Sequence, residues 1–265
     1  KQGKKGKFTG YYLPTLKGSL TKTKTFNVPI YGRPKNLVMV RLGLFNPEWK
    51  NKKIAGKLHH GTLIPFAMPR AKINKEGLKD APVLVWTNSL VDRFFLQVQG
   101  SGVVKLTNGK TLVLGYNGEN GSRYTAIAKV LIEKSELSKV DISMQTLRAW
   151  FKKHPHQTQD ILNQNASFIF FSKRAQHILG TERVPLTPGF SLAVDTAYVP
   201  LGFPLLLETE VPEVKNTKQR KSFTRVMIAQ DTGGAIKGAV RGDIYFGPGK
   251  NAAVLAGNMN AKGRY

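Results

Sequence analysis

The sequence predicts a mainly β fold of α+β character, with β-barrel parts and a helical block in the middle. Three observations predict it. Short apolar runs punctuated by Gly, Pro and Asn fill Phe8 to about Gly115. Helical periodicity then takes over between Ser122 and Asn163, and strand-like runs return from Ala166 onward. Strands, then helices, then strands is not the βαβ alternation of a parallel α/β sheet.

In chain order, Asn36 to Leu44, Pro82 to Thr87 and Phe94 to Val98 read as strands. Phe94 to Gln99 alternates imperfectly, as a strand with one buried face would. Val103 to Leu114 reads as a hairpin turning at Asn108-Gly109, because Asn-Gly accepts the positive φ of a tight hairpin turn. Ser122 to Lys134 reads as an amphipathic helix, with Ser122 as N-cap and Ile127, Val130 and Leu131 as its apolar stripe. Ser143 to Lys153, with Leu147 and Trp150 inward, and Gln157 to Asn163 are further helices. Phe168 to Phe171, Gly189 to Val194, Pro204 to Glu210 and Phe223 to Gln230 are strands, and polar Pro212 to Lys221 is a hairpin loop.

A chain of 265 residues has room for one large domain or two modest ones. No apolar run approaches the roughly 18 residues of a membrane span. The start at Lys1, without a signal-peptide pattern, suggests a processed or trimmed product. With no cysteine, disulfides and thiolate zinc sites are excluded. The 41 basic residues against 16 acidic give +25, a field that attracts polyanions. Clusters at Lys1 to Lys7, Lys50 to Lys57 and Lys215 to Lys221 read as solvated loops available for contact with an anionic surface. A basic bias of the source proteome accounts for the charge equally well. No zinc finger, bZIP heptad or RNA-binding aromatic signature accompanies these clusters, so no nucleic acid is expected. His59-His60 and His154-Pro155-His156 lack zinc-protease spacing, so no metal is expected, and Gly100-Ser101-Gly102 lacks the full nucleophile elbow, so no serine nucleophile is expected.

The stretch that carries chemistry is Ala229 to Gly247, AQDTGGAIKGAVRGDIYFG. A strand is expected to deliver Asp231 to a turn at Gly233-Gly234, where glycine permits positive φ and close ligand approach. A second strand is expected to start at Asp243. Aspartates beside glycine turns often only bind neighbouring amides. From residue types alone that reading stands beside a catalytic one for both.

This stretch resembles the three-aspartate motif of the membrane-bound lytic murein transglycosylase A family. Ordered matches run along nearly the whole chain: Phe8-Thr9-Gly10-Tyr11-Tyr12 with Pro14, Pro29-Ile30-Tyr31, Asn88 to Gly102, Tyr116 to Leu131, Asp141 to Trp150, Asn165 to Phe171, and Val194-Asp195 with Pro200-Leu201-Gly202. Ala256-Gly257 and Gly263-Arg264 match the closing segment. The family usually has a longer preceding segment, a lipid-bearing N-terminal Cys and a further apolar strand, none of which this chain contains.

The resemblance implies a double-psi β-barrel catalytic domain from residues 1–12 and 173–265. Residues 13–172 would form an inserted β-rich glycan-binding domain, with helices near 122–134 and 143–153 and a groove between the two domains. It implies cleavage of the β-1,4 bond between N-acetylmuramic acid and N-acetylglucosamine in peptidoglycan. Asp243 would act as general acid then base, and the product would carry a 1,6-anhydro ring. Asp231 would be a supporting residue. Thr9, Tyr11, Tyr12, Gln99, Gly100, Ser101, Asn117, Asn120, Tyr124, Gly233 and Gly234 would contact glycan. From their residue types alone, the tyrosines serve as core equally well, and Asn120-Gly121 also makes a good turn. Asp92 and Asp195 are read as structural. Lys237 and Arg241 would depress the Asp243 pKa if they faced it. No cofactor is implied, other cell-wall enzymes are admitted as partners, and the implied location is the periplasmic face of the outer membrane. The competing function is a non-catalytic glycan-binding wall module, since expansin-like and barwin-like proteins also use double-psi barrels. A third is a polycationic binder of anionic polymer, marked by steep salt dependence without glycan specificity.

Overall fold

A computed structural model describes residues 5–50, 52–138, 142–174 and 179–265. Lys1 to Lys4 of the first basic cluster, Asn51 and Asp141 lie outside the described residues. The strands are β1 (Gly6–Leu13), β2 (Thr15–Ser19), β3 (Val28–Tyr31), β4 (Leu37–Arg41), β5 (Lys53–His59), β6 (Thr62–Pro65), β7 (Val83–Thr87), β8 (Ser101–Leu106), β9 (Thr111–Glu119), β10 (Ile169–Arg174), β11 (Ser191–Val194), β12 (Pro204–Pro212), β13 (Arg220–Asp231), β14 (Arg241–Pro248) and β15 (Asn260–Gly263). The helices are α1 (Arg70–Glu76), α2 (Leu90–Gln99), α3 (Ile127–Glu133), α4 (Met144–Lys153), α5 (Thr158–Asn163) and α6 (Lys250–Asn258). The chain divides into two compact units, 1–15 with 175–265, and 16–174.

The first unit is a mixed six-stranded barrel in the order β12-β13-β11-β14-β1-β15. Its open edges meet where Glu208 and Arg264 exchange two backbone hydrogen bonds of 2.9 Å each. β1 runs parallel to β14 and β11 parallel to β13, while the other pairs are antiparallel. This arrangement is the double-psi barrel. Every residue of β11 is buried, as expected for a central strand. In β12, buried Leu205, Leu207, Thr209 and Val211 alternate with more exposed neighbours, the pattern of a wall with one inner face. Phe8, Leu192, Leu207, Met227 and Ile244 fill the interior. Against the outside of β1 lies α6, which the sequence reading left unassigned. Its approach requires Gly10, where an added Cβ would sit 3.1 Å from the Ala256 Cα of that helix and 2.4 Å from the Phe246 ring of β14.

The second unit holds a six-stranded sheet, β10-β9-β8-β2-β7-β3, which the Gly32–Phe171 bridge brings back on itself, and a three-stranded sheet, β4-β5-β6. Leu16, Ile30, Val85, Leu96, Val104, Leu114 and Phe171 form the core under the larger sheet. Helices α2 to α5 make a separate cluster around Phe94, Phe95, Leu131, Trp150 and Phe151. Arg70 is 2% exposed and donates to Gln97 Oε1, Asn165 O and Ser167 O, tying α1 and α2 to the chain before β10.

Three expected elements differ. The strand expected over Asn36 to Leu44 ends at Arg41, and Leu42–Leu44 form a 3-10 turn. Phe94 to Gln99 is the C-terminal half of helix α2, not a strand. Ser89 caps that helix by accepting the Asp92 N–H at 3.1 Å, and Gly100 ends it with φ 77°. A window restricted to 94–99 hides the Val91, Phe94, Phe95, Val98 spacing, which is helical. Helix α3 begins at Ile127 with Ala126 at its N-cap, not at Ser122. The preceding segment is pinned instead: Ser122 Oγ accepts from Asn120 Nδ2, and Thr125 N–H donates to Asn165 Oδ1. Hydrogen bonds to distant partners here outcompete helix extension.

Candidate active site

Across the barrel wall, strand register lines up Asp231, Ala193, Asp243 and Thr9 on four adjacent strands. Directly opposed residues point to the same face of a sheet. Two residues further along, Tyr11 pairs with Tyr245, so both rings share that face, with centroids 5.2 Å apart.

Thr9 Oγ1 donates to Asp243 Oδ1 at 2.5 Å. Arg241 Nη2 donates to Thr9 Oγ1 at 2.8 Å, and Arg241 Nη1 donates to the carbonyls of Lys7 and Gly242. The guanidinium has no acceptor, so it occupies a Thr9 lone pair and directs the single hydroxyl proton to Asp243. Asp243 Oδ2 accepts no hydrogen bond among the described residues. Burial pushes the Asp243 carboxyl up to about 6, against the opposing pull of Thr9 and Arg241; the Asp231 charge adds a smaller upward push.

Asp231 has a different environment. Its Oδ2 accepts from Tyr11 OH at 2.9 Å, and its Oδ1 accepts from Thr181 N–H, Thr181 Oγ1 and Thr232 N–H at 3.0, 3.0 and 2.9 Å. Burial still raises its pKa above the usual carboxylate value despite those donors. Burial, then Asp231, pushes the Tyr245 phenol to about 12, so it stays protonated. Asp231 is thus a saturated acceptor, whereas Asp243 keeps one oxygen open.

Of the residues singled out from sequence, the structure brings together Thr9, Tyr11, Asp231 and Asp243. Tyr11 and Tyr12 are 9% and 6% exposed, so their rings belong to the interior, where β1 is covered on both sides, and are not free to stack on a sugar. Gly233 and Gly234 follow Asp231 in the loop but do not adopt positive φ; Gly238 does, with φ 116°. A Cβ at Gly234 would meet nothing, while one at Gly233 would meet Ile236 at 2.7 Å. Gly238 also donates its N–H to Asp195 Oδ2 at 2.9 Å. Burial raises Asp195, but the amides of Gly238 and Ala197 together with the Lys237 charge carry it below its usual value. Asp195 is therefore a loop anchor, and it is Arg241, not Lys237, whose charge acts on Asp243.

The remaining candidates lie in the second unit. Gln99 closes α2, Gly100 caps it and Ser101 opens β8; all three are partly exposed. Asn117 is a partly exposed residue of β9, and Tyr124 is 47% exposed. Asn120 is 4% exposed and inward: it donates to Met68 O and Ala166 O at 2.8 and 2.9 Å and accepts the Phe168 N–H at 2.8 Å. It is a strut between segments, because each arm of its amide already has a backbone partner. Asp92 is equally structural, ion-paired with Arg148 at 2.5 Å.

Sequence reasoning missed Thr181 and Tyr245. Tyr245 was findable, since a residue two positions beyond Asp243 in a strand shares its face. Thr181 lies 50 residues from Asp231, and nothing local announces it.

The model of the MltA specific insert domain matches residues 7–172, and that of the 3D domain matches residues 190–265. Membrane-bound lytic murein transglycosylase A of Escherichia coli (strain K12) is 35% identical over 260 residues, covering 97% of this chain and 64% of that protein. The Buchnera aphidicola homolog is 32% identical, again over 97% of this chain and 64% of its relative. The chain thus spans about 64% of the length of these curated relatives. Among solved structures, a membrane-bound lytic murein transglycosylase from Agrobacterium tumefaciens superposes with TM-score 0.85 at 32% identity, covering 97% of this chain and 72% of that one. Escherichia coli MltA with bound chitohexaose superposes with TM-score 0.80 at 33% identity, covering 98% and 70%. An insert-domain match over more than half the chain, a 3D-domain match over the barrel strands and backbone agreement with solved MltA structures lead to one conclusion: this chain belongs to the membrane-bound lytic murein transglycosylase A (MltA) family.

Proposed function

We propose that the protein is a peptidoglycan lytic transglycosylase in which Asp243 is the one catalytic acid and base. The observation that carries the proposal is the unequal treatment of two neighbouring carboxyls. Asp231 is saturated by donors, while Asp243 has a pKa near 6 and an open Oδ2. A carboxyl that ionises near 6 can both give and take a proton at near-neutral pH.

In the first step, protonated Asp243 donates to the glycosidic oxygen as the C1–O bond breaks. N-Acetylglucosamine leaves as an alcohol, and positive charge develops at the muramyl C1. The same carboxylate then takes the proton of the muramyl C6 hydroxyl as that oxygen bonds to C1. The ring closes and Asp243 returns protonated, so no water is consumed. The intramolecular nucleophile removes the need for the second carboxylate that a hydrolytic glycosidase uses. Thr9 holds Oδ1, which leaves the acidic proton to Oδ2. The Tyr11–Asp231 hydrogen bond ties β1 to β13 across the two strands between them. Gln99, Gly100, Ser101, Asn117 and Tyr124 are the proposed glycan contacts of the second unit. The relatives named membrane-bound support membrane association, which we place at the periplasmic face of the outer membrane. The MltA structure holding chitohexaose supports a glycan strand as the ligand.

Digestion of purified murein with mass analysis tests the reading. Anhydro-muropeptides, lighter than hydrolysis products by one water, are expected. Reducing-end hydrolysis products, or intact sacculi, would sink it. A binding-only module predicts retention of glycan with no new ends.

The acid must be protonated at the start, so the rate should fall about tenfold per pH unit above the Asp243 pKa. Thr9→Val removes a hydrogen bond that favours the carboxylate. It should move this alkaline limb upward by about one pH unit, the equivalent of a charged hydrogen bond of about 1.5 kcal/mol. A pH–rate profile in which the limb stays put while only KM changes would instead make Thr9 a substrate contact.

A further inference from the structure

In the β4-β5-β6 sheet, the pairs Val38–Gly56, Val40–Ile54 and Leu58–Leu63 place five aliphatic side chains on one face. The opposite face sends Leu37, Met39 and Ala55 into a core with Phe66 and Phe168. The first face is open: Ile54 is 45% and Leu58 60% exposed. Between β4 and β5 the chain carries Leu44 and Phe45, 81% and 74% exposed, and then Trp49, 41% exposed. These residues are presented by ordered turns. Phe45 N–H bonds Leu42 O at 3.0 Å, Trp49 N–H bonds Asn46 O at 2.9 Å, and Asn46 Oδ1 accepts the Glu48 N–H at 2.9 Å.

The charges around the projection are nearly all of one sign. Arg41, Lys50 and Lys52 flank it in the chain, Lys53 and Lys57 lie on the opposite face of the sheet, and Glu48 is the only acid between residues 41 and 57. Lys53 is neutralised by Glu119 at 2.8 Å, while Arg41, Lys50 and Lys52 are exposed and unpaired among the described residues. We propose that this projection docks on a bilayer surface bearing anionic headgroups, with Leu44, Phe45 and Trp49 entering the interface and Arg41, Lys50 and Lys52 facing phosphates. An apolar tip with an interfacial Trp and a Lys/Arg collar is the combination such a surface selects. Protein–protein interfaces, by contrast, are depleted in Lys. Sugar recognition needs directional polar groups, which the aliphatic face lacks. The proposal does not rest on the catalytic reading.

The test is sedimentation of the chain with vesicles of phosphatidylglycerol and phosphatidylethanolamine, against vesicles of phosphatidylcholine alone. Binding to the anionic vesicles is expected to be at least about tenfold tighter and to weaken with salt. L44S/F45S should lower it about tenfold or more, with unchanged melting temperature and unchanged turnover of soluble glycan fragments, because both side chains stand in solvent. K50E/K52E should abolish the preference for anionic lipid. Equal binding by the wild type and L44S/F45S overturns the proposal, as does failure of the wild type to bind anionic vesicles. Self-association lost in L44S/F45S, without vesicle binding, would overturn it in favour of a protein-docking face.

Discussion

Asp243→Asn is expected to reduce the release of anhydro-muropeptides by about 10³-fold or more, because one group supplies both the acid and the base step. Glycan retention should be preserved, since the substitution changes one side-chain heavy atom near the start of β14. The same variant should be more stable than the parent at neutral pH. The folded pKa of about 6 lies above the usual value of 3.8, so the native state holds this proton more tightly than the unfolded chain. The stabilising effect of the neutral carboxyl is complete below about pH 4 and is lost as pH rises through about 6. Above that, the buried charge costs up to about 3 kcal/mol, which Asn does not incur. Urea unfolding at pH 8 should show a gain of about 2–3 kcal/mol that shrinks to near zero at pH 4. Full lytic activity in Asp243→Asn would remove the basis of the mechanism. Lost activity without any pH-dependent stabilisation would show instead that Asp243 is not held in a desolvated site.

Asn120→Ala should cost about 3–5 kcal/mol of stability in the insert unit. The alanine leaves the Phe168 N–H and the Met68 carbonyl without their Asn120 partner and takes one of two donors from the Ala166 carbonyl, which keeps the Arg70 N–H; Phe168 is fully buried. Each unsatisfied buried group costs about 1–3 kcal/mol. Below its melting temperature the variant should cleave murein within about twofold of the parent, since no transition-state contact is removed. Chemical denaturation and initial rates on the same preparation separate the outcomes. Unchanged stability with a raised KM would return Asn120 to the list of glycan contacts.

Much of the architecture was legible from local pattern. The Asn108-Gly109 hairpin, the helices beginning near Ser143 and Gln157, and the four strands after Ala166 are set by neighbours within a few residues: a turn dipeptide, a cap, an apolar period. The motif around Asp231 and Asp243 was likewise visible, because glycines and carboxylates cluster within one short stretch. What escaped depended on partners far along the chain. Residues 122–126 read as the first turn of a helix, yet the segment is drawn out by the bonds of Asn120 and Thr125 to Ala166 and Asn165. Helix α2 was misread because its caps lie outside the few residues that alternate.

The same division holds at the site. The family resemblance of the motif marked Asp243 as the acid worth testing, and residue order separated an α+β chain with barrel parts from a parallel α/β sheet. It did not distinguish Tyr11 as a buried donor from Tyr11 as a sugar platform, or Asn120 as a strut from Asn120 as a ligand. Nor did it reveal that Arg241 turns the Thr9 hydroxyl toward Asp243 across 234 positions of sequence. Those properties belong to the folded barrel, because a carboxyl's proton affinity follows from the water excluded around it and the donors aimed at it. Both are supplied by strands that meet only after the chain has closed on itself.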